Sequence, residues 1–210
     1  MEQRVIVITG ARGSVAKAIA KRFKDKNYIV YGLSRTSGQL DNYDFVYGVD
    51  YENLIALDLA KCDVLVNTIG INSTDLNACM KVNVDIPSKV INSLSSRLTS
   101  DSVVINISSV SGIKAGNNPA YSQSKNSLET LTKDLAKRLA PVRVMSIAPA
   151  FIEDSSWFKF DNEHKTKIIN DTPLKRICQT KDVADAVESC VDLLKFSTGS
   201  TLLLDGGRLL

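Results

Sequence analysis

The chain has 210 residues, 44% of them hydrophobic and 23% charged, with a formal net charge of +3 at neutral pH. That length suits a single domain over 1–210 with one substantial core, and the composition excludes a disordered chain. The small charge and the lack of a dense basic run argue against nucleic acid, and no continuous apolar run reaches the roughly 18 residues of a membrane span. Cys62, Cys79, Cys178 and Cys190 have no CxxC spacing and His164 is the only histidine, so no metal site is expected. Four small buried hydrophobes in a reducing cytosol is the better reading of the cysteines. An apolar run starts almost at once and leaves no room for a secretory leader, so a cytoplasmic protein is expected.

In chain order, Val5-Ile6-Val7-Ile8 breaks at Thr9-Gly10 and leads into a helical pattern through Lys17-Ala18-Ile19-Ala20-Lys21-Arg22-Phe23. Short β-rich runs then alternate with helical patterns, which predicts a parallel sheet with helices on both faces. Strands are expected near Arg4–Ile8, Tyr28–Leu33, Phe45–Val49, Val64–Asn67, Val103–Ile107, Val142–Ile147 and Thr201–Leu204. Helices are expected near Val15–Lys26, Tyr51–Ala60, Leu76–Arg97, Ala120–Leu139, Asn162–Asn170 and Lys181–Phe196. Pro87 falls inside the third helix and should bend it, because an interior proline loses a hydrogen bond. Only Ser34–Asp44 joins the second and third strands, and only Tyr51–Lys61 the third and fourth. A parallel crossover normally takes about a dozen residues or more, so these two connections are shortened.

The turn Thr9-Gly10-Ala11-Arg12-Gly13-Ser14-Val15-Ala16 takes a strand sharply into a helix, whose first N–H groups and dipole suit a pyrophosphate. A tight strand–helix turn with no ligand is the plain alternative on this loop alone. The second strand ends Leu33-Ser34-Arg35. An acidic residue there would bond a ribose 2′-hydroxyl and repel a 2′-phosphate. Ser34 removes that repulsion, Arg35 offers a planar fork for phosphate, and Arg12 is in reach of the same group. NADP(H) is therefore favoured over NAD(H), against the alternative that Arg35 is a solvated loop charge.

Tyr121-Ser122-Gln123-Ser124-Lys125 puts a Tyr and a Lys on one face of a helix, which alone is usually a solvated surface. Its company lifts it. Upstream stand Thr9-Gly10, then Asp63-Val64-Leu65-Val66-Asn67-Thr68-Ile69-Gly70 and Ile105-Asn106-Ile107-Ser108-Ser109; downstream stands Asp205-Gly206-Gly207. In that order and at those distances, the set resembles the short-chain dehydrogenase/reductase family from about Arg4 to Gly207. The resemblance implies a Rossmann-type doubly wound parallel sheet of about seven strands in the order 3-2-1-4-5-6-7. It implies Tyr121 as acid/base, Lys125 as pKa modulator and ribose anchor, Ser109 as polariser of the substrate oxygen, and Asn83 as support of a water relay. A free Tyr has a pKa of about 10, and a neighbouring ammonium should move Tyr121 toward the working range.

Against the family pattern TGxxxGxG, Gly10 matches while Ser14 and Ala16 replace glycines. The Ser14 hydroxyl either donates to a phosphate oxygen or its bulk weakens binding beside Val15. Asp50 resembles the adenine-contacting Asp, and Asn67 and Gly70 match the outer letters of the NNAG segment, with Asn67 mainly structural. Pro149 and Ile152 fall in the segment that meets the nicotinamide; Asp154 aligns with the Thr that binds its carboxamide, and Ser155 serves that role after a one-residue shift. A substrate lid is expected near 151–176, with Trp157, Phe158 and Phe160 as apolar contacts. The chain reads as an enzyme interconverting a carbonyl and an alcohol on a small or medium substrate. The rival is a sensor or scaffold that binds nucleotide without turnover. Long helices at Leu76–Arg97 and Ala120–Leu139, the second with Leu128, Leu131, Leu135 and Leu139 in an apolar stripe, imply a homodimer or homotetramer.

Overall fold

The computed structural model describes residues 3–51, 59–155 and 159–210. Strands β1 (Val5–Thr9), β2 (Ile29–Ser34), β3 (Phe45–Gly48), β4 (Cys62–Asn67), β5 (Leu98–Ile107), β6 (Arg143–Pro149) and β7 (Thr201–Leu204) form one sheet in the order β3-β2-β1-β4-β5-β6-β7. Every neighbouring pair is parallel. Strands buried on both faces need continuous apolar runs, and Val5–Ile8, Val64–Val66 and Val103–Ile105 supply them. One core lies between the sheet and helices α1 (Ser14–Asp25) and α6 (Thr180–Asp192); the other packs Val90, Ile91, Leu94 and Leu135 on the opposite face. No helix among the described residues is long and apolar enough to cross a membrane.

The third expected helix is not one bent rod. It runs as α2 (Leu76–Met80), a π turn (Lys81–Asp85) and α3 (Ile86–Leu94), followed by a short 3₁₀ turn. Pro87 is the cause. It has no N–H for the Asn83 carbonyl four residues back, and its ring crowds that carbonyl. The Ile86 N–H instead donates to Lys81 O, five residues back, so the irregularity falls one turn before the proline.

Strand β5 begins at Leu98, five residues before the apolar run that announced it, and pairs with β4 across a register shift between Cys62 and Val64. Helix α6 stops at Asp192, leaving Phe196 fully exposed. The helix expected at Tyr51–Ala60 lies mostly outside the described residues, so the shortened crossover is seen only at its ends. At one of them β3 closes tightly on the preceding loop: a Cβ on Gly48 would stand 2.8 Å from the Ser37 nitrogen. Cys62, Cys79 and Cys190 are buried, whereas Cys178 is half-exposed, so the cysteines are not all core residues. No cluster of possible metal ligands occurs among the described residues.

Candidate active site

The carboxyl ends of β1, β4, β5 and β6 carry the residues singled out in the sequence. At the end of β1, Gly10 adopts φ +65°, a left-handed conformation that favours glycine. A Cβ there would stand 3.0 Å from Thr68 Oγ1. Thr68 holds this corner: its hydroxyl donates to Thr9 O at 2.6 Å, and its N–H donates to Thr9 Oγ1 at 3.1 Å. Helix α1 then starts at Ser14 with Gly13 as N-cap, no side-chain cap and no acidic residue in its first turn. An anion meets amide groups and a favourable dipole there, with no fixed carboxylate to repel it. Val15 is half-buried beside Ser14 and packs on the core.

The β2 end is more open. Ser34 is buried, and its hydroxyl accepts from Thr36 N at 3.4 Å, whereas Arg35 and Asp50 are exposed. Arg12 is committed to the β2–β3 loop: Nε donates to Thr36 Oγ1 at 3.1 Å and an Nη to Ser37 O at 3.0 Å. Arg12 thus braces the loop that follows Arg35.

At the β4 and β5 ends the residues are buried and closely tied. Asn67 Nδ2 donates to Asn106 Oδ1 at 2.9 Å, and Asn106 Nδ2 donates to Thr132 Oγ1 at 2.9 Å, joining β4 and β5 to helix α4 (Pro119–Arg138). Asn83, in the π turn, is fully buried. Its amide donates to Ile71 O at 2.9 Å and to Ser124 Oγ at 2.8 Å, and its oxygen accepts from Ile71 N at 2.8 Å. Gly70 lies alongside, with space for a Cβ only 3.3 Å from Asn83 Oδ1.

Helix α4 brings Tyr121 and Lys125 to the same place. Asn118 caps it, accepting from Tyr121 N at 3.3 Å, while its amide donates to Asn72 Oδ1 and Ser73 O. Pro119 at the first helical position needs no partner for an N–H. After β5, Ser109 leads a 3₁₀ turn (Val110–Gly112) that packs so closely on α4 that a Cβ on Gly112 would stand 2.8 Å from the Lys125 carbonyl carbon. The Ser109 hydroxyl, which accepts from Ser111 N at 3.2 Å, lies near the Tyr121 phenol. Lys125 is buried, donates to Ile107 O at 2.9 Å, and lies 5.8 Å from the centre of the Tyr121 ring.

Burial holds the phenol above its ordinary range, opposed by the nearby Ser109 hydroxyl, which lowers it. The lowering expected from Lys125 is not the ruling effect: burial is. Burial also pushes the Lys125 ammonium down to about 8, opposed first by the Glu129 carboxylate and then by Cys79.

On the β6 side, Pro149 ends the strand, and the half-buried Ile152 forms a lone bridge with Cys178. Asp154 is turned away from the role its alignment suggested. Its oxygens accept from Thr180 N at 2.7 Å and Thr180 Oγ1 at 2.6 Å, so it is occupied at the start of α6. Ser155 donates to Ile152 O at 2.7 Å. Phe160 meets Phe151 edge-on at 5.5 Å, and Trp157 and Phe158 lie outside the described residues. Ser124, Asn106, Thr68 and Glu129 were missed in the sequence. Ser124 and Glu129 were within reach of helical spacing, three and eight positions beyond Tyr121.

A family model described as enoyl-(acyl carrier protein) reductase matches residues 52–208. The chain belongs to the short-chain dehydrogenase/reductase family. Among its relatives, the 3-oxoacyl-(acyl-carrier-protein) reductase FabG of Aquifex aeolicus is 30% identical over 218 residues, which span 96% of this chain and 86% of that one. An uncharacterised oxidoreductase of Schizosaccharomyces pombe is 29% identical over 238 residues, spanning 100% of this chain and 92% of that one. Among solved structures, the ligand-free aldohexose dehydrogenase of Thermoplasma acidophilum superposes with a TM-score of 0.89 at 26% identity, covering 99% of this chain and 94% of that one. These likenesses agree with the short-chain dehydrogenase fold, the parallel sheet order and the oxidoreductase class.

Proposed function

We propose that this short-chain dehydrogenase/reductase is an NADP(H)-dependent enzyme that interconverts a carbonyl and an alcohol on a small or medium substrate. The observation that carries the reading is the convergence of Ser109, Tyr121 and Lys125, with the Ser109 hydroxyl near the phenol and the buried ammonium 5.8 Å from the centre of its ring. The Gly10 corner and the start of α1, which has no side-chain cap, fit a pyrophosphate, which Gly10, Ser14 and Val15 would hold, with Arg12 on the side of the 2′-phosphate. Ser34 and Arg35 would favour a 2′-phosphate, Asp50, Asn67 and Gly70 would border the nucleoside, and Pro149 and Ile152 would border the nicotinamide.

The bound cofactor supplies or accepts the hydride. The chain handles the proton and the charge. Tyr121 gives its phenolic proton to the substrate oxygen during reduction and takes it back during oxidation. Ser109 donates a hydrogen bond to the same oxygen and steadies the charge that develops there. Lys125 favours the phenolate when its ammonium is protonated and anchors the ribose. Asn83, bonded to the Ile71 backbone and the Ser124 hydroxyl, ties the chain after β4 to α4 beside Lys125.

Residues 151–176 are read as the substrate lid, the assembly as a homodimer or homotetramer, and the cytosol as its place. Titration of the purified protein with NADPH and NADH tests the cofactor reading, with tighter NADPH binding expected. Equal affinities overturn the NADP(H) preference. Binding with no turnover on a panel of ketones, sugars and oxoacyl thioesters favours the nucleotide-binding scaffold instead.

A further inference from the structure

Glu129 lies one helical turn beyond Lys125 on α4, so the two side chains share a face. It is 5% exposed. One carboxylate oxygen accepts from the Thr201 hydroxyl on β7, while Oε1 is buried with no hydrogen-bond partner among the described residues. A carboxylate so placed is costly unless a positive charge lies near it. Lys125, 3% exposed, is the buried cation on that face, Lys133 being exposed, and among the described residues its ammonium donates to a neutral carbonyl, Ile107 O.

The groups around Lys125 are few. Helix α4 offers Tyr121 and Glu129, α2 the Cys79 thiol, the π turn the Asn83 amide, β5 the Ile107 carbonyl, and the 3₁₀ turn only the Gly112 backbone. Glu129 is the one carboxylate among them. We infer that Glu129 is a positioning residue whose buried carboxylate, fixed by Thr201, is the counter-charge that keeps Lys125 a cation in the site.

Physical chemistry gives the arrangement its purpose. Burial alone drives Lys125 toward the neutral amine, which neither favours a phenolate nor holds a ribose by charge. Glu129, one turn along α4, opposes that drift. The inference rests on Lys125 working as a cation in the reaction proposed above, yet it is tested without that reaction.

Glu129→Gln keeps the length of the side chain and can still accept from Thr201. Lys125 in the folded protein lies at about 8, below its ordinary 10.5. The folded chain therefore sheds this proton first and gains stability as pH rises from about 8 toward 10.5. Without the carboxylate, that gain should begin about one pH unit lower in thermal unfolding measured across pH. Thr201→Val, which removes the hydrogen bond but not the charge, should leave the onset in place. In turnover, the alkaline limb of kcat/KM for Glu129→Gln should move down by the same amount, with values at pH 6 within about twofold of the unmutated protein.

Unfolding curves for Glu129→Gln that are merely displaced, with the onset unmoved, would overturn the counter-charge and leave a structural side chain. An equal shift in Thr201→Val would overturn it too. Carbon-13 NMR of the unmutated protein decides the matter if the Gln variant does not fold: a protonated Glu129 at pH 7 overturns the inference and an ionised one supports it. If neither cofactor binds, the functional reading fails while the stability curves still judge Glu129.

Discussion

At the α4 end of the site, Asn83, Ser124 and Lys125 are buried and hold directed hydrogen bonds, whereas at the β2 end Arg35 and Asp50 are exposed side chains and Arg12 is spent on bracing a loop. The physical consequence differs at the two ends. A buried polar group that loses its partner forfeits the whole desolvation cost, so every member of the α4 cluster constrains the others. An exposed guanidinium exchanges protein for water at little cost to the fold. The chemistry is therefore fixed by packing, and the choice of cofactor is adjustable at the surface.

The sharpest way to press that contrast is at the phenol. Tyr121→Phe keeps the ring's packing and removes only the oxygen, so turnover should fall by about 10³-fold while the unfolding temperature and NADPH affinity change little. Lys125→Ala should lose activity as well, but with NADPH binding weakened too. A Phe variant that turns over its best substrate at the unmutated rate removes Tyr121 from the mechanism.

The next largest effect should be on stability. Asn106→Ala strands the Asn67 amide and removes a bond to Thr132, at a cost of roughly 2–4 kcal/mol read by denaturant unfolding. A loss as small as that of an exposed substitution would mean that the buried chain is not acting as a unit. At the open end, Arg35→Ala should narrow the difference between NADPH and NADH affinities by about tenfold, or ~1.4 kcal/mol, and leave unfolding untouched. An unchanged ratio in calorimetry would assign the discrimination elsewhere. The smallest effect belongs to Asp154→Ala, which uncovers Thr180 at the start of α6 and should cost about 1 kcal/mol in thermal unfolding.

Where a feature rests on local pattern, the sequence was readable. The continuous apolar runs of β1 and β4 and the Tyr121–Lys125 spacing all register over a few residues. The order of the seven strands came only with the family likeness, since periodicity carries no information about neighbours. Strand β5 was entered late because Thr99, Ser100 and Asp101 are polar and exposed, although their backbone is extended. The π turn was read as a simple bend, because a proline marks trouble but not which hydrogen bond will be replaced. Asp154 was matched by position to a ligand-binding Thr, while its partner Thr180 lies 26 residues away and left no local trace. Glu129 was overlooked for a related reason: helical spacing put it on the Tyr121 face, but a charge among leucines reads as the wet side of α4, and its partner Thr201 on β7 is 72 residues away.

The π turn also makes this stretch of chain a matter of counting. Five residues, Lys81 to Asp85, are wound into a turn wider than an α-helical one, which is geometrically one inserted residue. Each residue in an α-helix advances the azimuth by about 100°, so α3 is out of phase by that angle with a simple continuation of α2. Cys79 before the turn and Val90, Ile91 and Leu94 after it are all buried. Substitutions at exposed positions here should be absorbed. Deleting a single residue would not be, since the helix could then keep Asn83 on Ile71 or its apolar face on β4 and β5, but not both.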